Sequence, residues 1–429
     1  MAPEILTLPS PLPRQAPGTV TSSRFPVVLR RRRTLRILQV TPYYDEAWAY
    51  GGIPRVVTSL SRGFAWREHH VTVCTTDVCD RASRLSRPRF SSPQSALDVL
   101  VFRNLSNRIA YDLQFFLPLG FGAYLRQHAH HFDIAHIHGC HHVPGVIAAR
   151  HLRRAGVPYV ISPHGTAPRI ERRRFAKYVF DITVGRRVMA GAHRLIAVTD
   201  AERRQLVRLR AREESIAVIP NPVDLSEFEP PPERGWLRER FGLGARPVVL
   251  FLGKLTPRKR LDVLVDAFAR LGRPDAALVI AGNDLGAGRA TLARVRRRGL
   301  ERQTFFTGLL RGRQRLDVLN DADVVVYPGQ NEIFGLVALE AILAGTPVIV
   351  ADDSGSAEVI AGTGGGWVVP EGDDRALAIT IGLALTNSLA ARRATATARE
   401  FVSKTYAVDR ICGLVETLYA DVLGARTKA

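Results

Sequence analysis

The segment NEIFGLVALEA, residues 331–341, is the most informative part of the chain, and it places Glu332 and Glu340 eight residues apart. An apolar run precedes it at 323–328, and another follows at 348–350. Strand, loop, helix and strand in such close succession are typical of a parallel α/β unit. Ligands bind such sheets at the carboxyl ends of the strands, beside helix N-termini. The order of these elements therefore predicts a ligand site near the two glutamates.

The spacing of the two glutamates is close to a whole number of helical turns. Both carboxylates would face one side of a helix that begins near Glu332, because an α-helix has about 3.6 residues per turn. Glutamates on helices are mostly solvated, so the spacing alone is weak evidence for a site. The pair needs support from other parts of the chain.

Two series of strand-like runs, with helical stretches between many of them, extend along the chain. The first series lies at 35–40, 70–75, 99–103, 133–138, 159–162 and 194–198. The second lies at 247–252, 277–281, 303–307, 323–327, 347–350 and 366–369. Proline-rich stretches at 220–224 and 230–232 separate them, which is typical of a linker. A length of 429 residues also favours two domains.

We therefore predict an α/β protein built from two doubly wound, Rossmann-like domains that face each other across a cleft. The predicted parts are a basic, proline-rich disordered tail over 1–34, a first domain over 35–225, a linker over 226–245, a second domain over 246–400 and a C-terminal helix over 401–429.

The chain carries a formal net charge of +20, and part of this charge is local. Residues 168–214 contain 13 basic and six acidic side chains. Such a region attracts anionic lipid, nucleotide phosphates or nucleic acid, although a general use of arginine on solvated faces would give the same count. No run reaches the roughly 18 apolar residues that span a bilayer, and four cysteines without a paired framework fit a reducing compartment. We expect a cytoplasmic protein with a possible peripheral contact to the membrane.

Three further motifs lie at the ends of predicted strands. Gly51 and Gly52 follow the first strand and allow close approach to a phosphate or sugar. The basic stretch GKLTPRKR, residues 253–260, presents Lys254 and Lys259 where a diphosphate would gain from nearby cations. The stretch SPHGT, residues 162–166, presents His164.

A histidine-rich stretch, DIAHIHGCHH over residues 133–142, offers short His and Cys spacings that a zinc ion could use. His136 and His138 alternate along a predicted strand, which leaves open a metal site or a lining of the cleft by His138.

Together these motifs resemble retaining glycosyltransferases of the GT-B fold, specifically glycosyltransferase family 4. The resemblance covers about residues 36–420 and includes Glu332, Phe334-Gly335, Glu340-Ala341, Gly345 and Pro347-Val348. Two positions depart from the family pattern, because Lys254 stands where arginine is usual and Arg260 where glycine is usual.

The resemblance implies that the domain over 35–225 lies on the acceptor side, that the domain over 246–400 binds the nucleotide-sugar, and that the helix over 401–429 crosses back to the first domain. It also implies a role for each matching residue. His164 and Glu332 would be catalytic and contact the donor sugar. Gly51, Gly52, Lys254, Lys259, Phe334, Gly335, Leu336 and Glu340 would bind a nucleotide-sugar, UDP- or GDP-linked, with Glu340 on the ribose and the lysines on the diphosphate. His138 would line the acceptor side, and no cofactor or metal would be needed.

The function that follows is transfer of a hexose, with retention, to a glycan or lipid-linked acceptor in surface-glycan or exopolysaccharide synthesis. A GT-B-like nucleotide-sugar epimerase and a nucleic-acid-binding protein remain as alternatives. A dinucleotide-dependent oxidoreductase is disfavoured, because no Gly-x-Gly-x-x-Gly follows the first strand.

Overall fold

The computed structural model describes residues 33–85, 96–168, 174–353 and 355–426. They divide into two compact units. The N-terminal unit is the described part of residues 31–227, 332–336 and 404–429, and the C-terminal unit is that of residues 228–331 and 337–403. All but two residues of the predicted disordered tail lie outside the described residues.

A parallel sheet forms the centre of the N-terminal unit. Its strands are β1 (Arg36–Val40), β2 (His70–Thr76), β3 (Leu97–Phe102), β4 (Ile134–His138), β5 (Tyr159–Ser162), β6 (Arg194–Ala197) and β7 (Ile216–Val218). Within the described residues they are ordered β3-β2-β1-β4-β5-β6-β7. The apolar strands are buried because helices cover both faces of a sheet with crossover connections.

Helices connect these strands as the doubly wound pattern requires. They are α1 (Gly52–Trp66), α2 (Asn107–Leu113), α3 (Phe121–His128), α4 (Val143–Arg154), α5 (Arg174–Phe180), α6 (Arg186–Ala190) and α7 (Asp200–Arg208). A π-helical segment, Asp181–Gly185, joins α5 to α6.

The C-terminal unit repeats the same design. Its strands are β8 (Val248–Leu252), β9 (Ala277–Ala281), β10 (Thr304–Gly308), β11 (Val324–Tyr327), β12 (Val348–Ala351) and β13 (Gly366–Val369), ordered β10-β9-β8-β11-β12-β13 in the described part of the chain. Its helices are α8 (Trp236–Phe241), α9 (Leu261–Leu271), α10 (Gly288–Arg297), α11 (Gln314–Asp321), α12 (Leu336–Leu343), α13 (Gly355–Thr363), α14 (Asp374–Thr386) and α15 (Ser388–Thr405).

The segment predicted as a linker, 226–245, contains helix α8. The carboxylate of Asp321 in α11 accepts hydrogen bonds from Gly235 N at 2.5 Å and Leu237 N at 2.7 Å. These bonds satisfy amides at the start of α8 that have no partner inside the helix, and they attach the helix to the C-terminal unit.

The last helix, α16 (Val408–Arg426), packs on α1 of the N-terminal unit. The Arg67 guanidinium pairs with Glu416, which also lies 3.1 Å from His69 Nε2. Deeper in the unit, the Tyr419 hydroxyl lies 2.8 Å from His136 Nδ1 on β4. The C-terminal residues therefore complete the core of the N-terminal unit.

The strand order reverses in each sheet between two strands whose ends carry predicted site residues. In the N-terminal unit these strands are β1 and β4, and in the C-terminal unit they are β8 and β11. A doubly wound sheet opens a crevice at this switch point, outside the carboxyl ends of the strands.

The helix within residues 331–341 begins later than the spacing of Glu332 and Glu340 suggested. The expected start near Glu332 is wrong, because α12 begins at Leu336. Asn331 and Gly335 adopt left-handed φ values of 51° and 72°, which are incompatible with a continuous right-handed helix. Glu332 therefore precedes the helix, and the two-turn argument does not apply to the pair.

Candidate active site

Buried histidines form the centre of the site in the N-terminal unit. His138, at the end of β4, is fully buried, and its Nδ1 lies 3.0 Å from His164 Nε2, so one ring donates to the other. The far nitrogen of His138 contacts Gln39 Oε1, and that of His164 lies 3.1 Å from Asn221 Oδ1. A continuous chain of polar contacts therefore fixes both rings.

Burial keeps both rings neutral. Desolvation lowers the pKa of His164 to about 4, against a weaker opposing effect of the Asn221 hydrogen bond. The pKa of His138 is also well below its ordinary value, through burial first and then through the neighbouring histidines. A neutral imidazole donates one hydrogen bond and accepts another, and His164 uses its two nitrogens for Asn221 and His138.

The turn that carries His164 has strained backbone geometry. His164 adopts φ 51° and Gly165 φ 77°, a region that residues with a side chain seldom occupy. Such strain is typical of functional sites where the surrounding structure over-determines the conformation.

The segment Glu332–Leu336 packs in the same unit as His164. The Thr199 hydroxyl donates a 2.9 Å hydrogen bond to Ile333 O, and the ring of Phe334 lies edge-on to Tyr406 with centroids 5.8 Å apart. A Cβ at Gly52 would lie 2.9 Å from Leu336 Cδ1, so glycine allows close approach there. The structure thus brings together the predicted residues His138, His164 and Gly52 with the segment Glu332–Leu336.

The C-terminal unit contains the predicted residues Lys254, Lys259 and Glu340. Lys259 is buried, and its Nζ both contacts the Tyr327 hydroxyl and lies 4.2 Å from the centre of the Tyr327 ring. This cation–π contact holds a cation at the ends of β8 and β11 in a largely water-excluded environment, where its field is strong. Lys254 is half-buried on the preceding loop.

The backbone of the Lys254 loop depends on a glycine from the neighbouring strand. Gly253 N donates to Ala281 O at 2.9 Å, and a Cβ at Gly282 would come within 1.7 Å of Gly253 O. No side chain fits at that distance. The Arg258 guanidinium donates to Asn331 O at 2.8 Å, so Arg258 braces the loop before Glu332.

Glu340 is buried and forms an ion pair with Arg315 of α11, whose Nη1 lies 2.7 Å from Glu340 Oε2. No sequence pattern marks Arg315, because an arginine in an ordinary helix has no distinguishing neighbours. Glu332 belongs to the N-terminal unit and Glu340 to the C-terminal unit.

The substitution of arginine for the family's glycine at position 260 is accommodated by new pairs. Arg260 adopts φ 49° and its guanidinium binds Asp262 and Glu371. Its charge is thereby engaged within the C-terminal unit.

Each member of the histidine-rich stretch other than His138 has a structural contact. His136 Nε2 lies 2.7 Å from Ser162 Oγ, His141 Nε2 lies 2.8 Å from Asp181, and His142 Nδ1 accepts from Gly145 N at the start of α4. Within the described ranges, no group of three or more His, Cys, Asp or Glu side chains is arranged to hold a metal ion. That transfer needs no metal stays a prediction.

Comparison with known proteins assigns the class. A model described as Glycosyltransferase Family 4 matches residues 50–227, and one described as Glycosyl transferases group 1 matches residues 237–401. With the two doubly wound sheets, these matches define a GT-B glycosyltransferase. The chain belongs to glycosyltransferase family 4, so the predicted family, fold and enzyme class are confirmed.

Two relatives illustrate the extent of the similarity. The D-inositol 3-phosphate glycosyltransferase of Xylanimonas cellulosilytica is 30% identical over 402 residues, covering 88% of this chain and 93% of the relative. The enzyme of the same name from Kineococcus radiotolerans is 35% identical over 259 residues, and the match spans 56% of this chain and 59% of that relative.

Solved structures support the fold. HepE from Anabaena, in complex with UDP and glucose, superposes with a TM-score of 0.70 at 20% identity, covering 90% of this chain and all of HepE. Sucrose-phosphate synthase from Thermosynechococcus elongatus gives a TM-score of 0.71 at 22% identity, covering 91% of this chain and all of that one.

Proposed function

We propose that this enzyme transfers a hexose, with retention of configuration, from a UDP- or GDP-sugar to a glycan or polyprenyl-phosphate-linked acceptor in surface-glycan assembly. The observation that carries the proposal is the neutral His164 ring, fixed by His138 on a turn that packs against Glu332–Leu336. A neutral ring on this turn places no fixed cation beside an uncharged sugar. The binding of UDP and glucose to HepE supports a UDP-linked donor.

In this proposal the remaining predicted residues hold the nucleotide. Lys254 and Lys259 stabilise the departing diphosphate, because cations placed where charge develops lower the barrier. Glu340 binds the ribose, with Arg315 fixing its carboxylate. Front-face attack assisted by the leaving phosphate would retain configuration, and the anomeric coupling of the product in an NMR spectrum tests this directly.

The first experiment is a thermal-shift screen with UDP-, GDP-, ADP- and TDP-sugars. Wild type is compared with Glu340→Gln and with Glu301→Gln, an exposed glutamate of the same unit. We expect one nucleotide class to stabilise wild type and Glu301→Gln, and to lose most of its effect on Glu340→Gln. If folded wild type responds to no nucleotide-sugar, the donor assignment is wrong. Conversion of the donor alone into an epimer would instead favour the epimerase alternative.

The acceptor is proposed to carry a phosphate. The relatives above are named as D-inositol 3-phosphate glycosyltransferases, so a soluble inositol phosphate is the second candidate besides a polyprenyl-phosphate-linked glycan. Both present a phosphate to a basic protein. Parallel assays with each acceptor separate them, and transfer to inositol 3-phosphate alone would overturn the surface-glycan role.

A membrane contact is proposed for the helix that begins at Arg174. Its apolar residues Phe175, Tyr178, Val179 and Ile182 are exposed at the spacing of one helical face, with Phe175 78% exposed. Exposed Arg186 and Arg187 follow in α6, which the π-helical segment joins to α5. Apolar side chains beside cations suit an anionic bilayer surface. No helix in the described ranges is long and apolar enough to cross a bilayer, so the proposal is a peripheral contact on the cytoplasmic side.

Flotation with vesicles tests this contact. Wild type should bind vesicles that contain phosphatidylglycerol more strongly than pure phosphatidylcholine vesicles, and Phe175→Ser with Ile182→Ser should reduce binding about tenfold. Trp66→Ser is the matched control, because Trp66 is 71% exposed at the distal end of α1. Equal binding by both variants would exclude this helix as the contact.

A further inference from the structure

The start of α7 contacts both segments that carry the proposed catalytic residues. Thr199 is the N-cap of this helix, and Glu202 lies one turn into it. The Thr199 hydroxyl donates to Ile333 O at 2.9 Å, in the segment that contains Glu332. Glu202 Oε1 accepts from Gly165 N at 2.5 Å, in the turn that contains His164. Two buried side chains on one helical turn therefore hold two segments that are distant in sequence.

Glu202 departs from the usual capping arrangement. In a capping box, the glutamate three residues after the N-cap bonds the N-cap amide. Here one oxygen accepts from Val198 N at 2.8 Å, and the other leaves the helix to reach Gly165. The side chain is also almost completely buried, which is costly for a carboxylate unless its bonds are needed. Capping of α7 alone would not require this burial.

The two held segments also contact each other. A Cβ at Gly165 would lie 2.9 Å from Ile333 Cγ1, so the glycine lets the His164 turn lie directly on Ile333. Movement of either segment would disturb the other, and both are bonded to the same helical turn.

We infer that Thr199 and Glu202 are positioning residues, which hold the His164–Gly165 turn and the Glu332–Leu336 segment in the single arrangement that binds the sugar of the donor. The inference rests on the proposed roles of His164 and Glu332. In this inference Thr199 and Glu202 act through His164 and Glu332, whose positions they fix. A misplacement of about 1 Å at a reacting centre can cost about 100-fold in rate.

Positioning predicts a defined split between kinetic constants. The proposed nucleotide contacts Lys254, Lys259 and Glu340 belong to the C-terminal unit, so UDP or GDP affinity should be preserved. We expect Thr199→Val and Glu202→Gln each to lower kcat about 10- to 100-fold while changing nucleotide affinity less than about twofold. Thr199→Ser keeps the hydroxyl and should recover most of the rate.

Asp200→Asn is the matched control. Asp200 lies on the same helical turn, and its carboxylate pairs with Arg203 of the same helix at 2.8 Å. Hydrogen exchange measured by mass spectrometry provides a readout that does not depend on turnover. Residues 163–166 should lose protection in Glu202→Gln, residues 331–336 should lose it in Thr199→Val, and neither should change in Asp200→Asn.

Three results would overturn the inference. They are a kcat near wild type in both Thr199→Val and Glu202→Gln, a loss of nucleotide affinity in parallel with kcat, and unchanged exchange in both segments. Absence of turnover by wild type with every nucleotide-sugar would instead refute the proposed function, and the exchange measurements would still decide whether the two side chains hold these segments.

Discussion

The two units arrange their buried polar groups in opposite ways. In the N-terminal unit, His138 is buried and His164 is partly buried, and desolvation lowers the pKa of both rings so that they stay neutral. In the C-terminal unit, charge is retained by pairing, with Lys259 on the Tyr327 ring and Glu340 on Arg315. Buried groups either neutralise or find partners, because isolated charge is costly in a low-dielectric interior. The N-terminal unit therefore presents neutral rings, and the C-terminal unit presents paired charges.

The largest expected effect comes from breaking a charge pair in the C-terminal unit. Glu340→Ala leaves Arg315 buried without its carboxylate, so we expect a loss of about 3–5 kcal/mol in the free energy of unfolding. Urea denaturation measures this loss. A double variant, Glu340→Leu with Arg315→Met, should recover most of it, and a single variant as stable as wild type would show that the pair is not desolvated.

The role of the N-terminal unit is tested by removing the imidazole ring of His164. His164→Ala should lower kcat about 100-fold, equivalent to about 2.7 kcal/mol, with nucleotide affinity retained. Steady-state kinetics and calorimetric titration of UDP and GDP measure the two effects. His70→Ala, at an exposed position in the same unit, serves as the control. Equal losses of kcat and nucleotide affinity would contradict the division of roles.

In the C-terminal unit, removal of a charge should lower nucleotide affinity. Lys259→Met removes the buried cation, so we expect nucleotide affinity to fall about 30-fold, or about 2 kcal/mol. Lys404→Met, at an exposed position, should leave the affinity unchanged. A variant that binds the nucleoside diphosphate as tightly as wild type would remove Lys259 from the phosphate site.

The smallest effect is a pH dependence that separates neutral from charged burial. Burial lowers the pKa of His164 from 6.5 to about 4, so the unfolded chain binds its proton first as pH falls. The contribution of neutral His164 to the free energy of unfolding is complete above pH 6.5 and is lost as the pH falls towards 4. Between pH 7 and pH 6 wild type should lose about 0.7 kcal/mol more unfolding free energy than His164→Asn. Identical slopes would mean that His164 titrates normally.

Much of the fold follows from local patterns in the sequence. Apolar runs predicted every described strand except β7, whose residues Ile-Ala-Val are apolar but form too short a run to be told from a loop. The start of α12 was misplaced because a left-handed backbone at Gly335 depends on its tertiary setting. The type of each element was therefore easier to predict from the sequence than its boundaries.

The candidate site was predictable only where a family motif marks a residue. Lys254, Lys259, His164 and Glu340 come from such motifs, whereas Arg315 does not. The contact of Thr199 with Ile333 joins residues 134 positions apart, and no periodicity or local spacing records a contact at that separation. The supporting residues of the site therefore required the structure.

The packing of α16 on α1 has a consequence for the order in which the molecule is made. Tyr419 contacts His136 across 283 positions of sequence, and the Arg67–Glu416 pair joins the same two regions. A ribosome emits the strands of the N-terminal unit first, yet the helix that closes its core emerges only after the C-terminal unit. The N-terminal unit, although synthesised first, therefore cannot complete its core until the C-terminal unit has been translated.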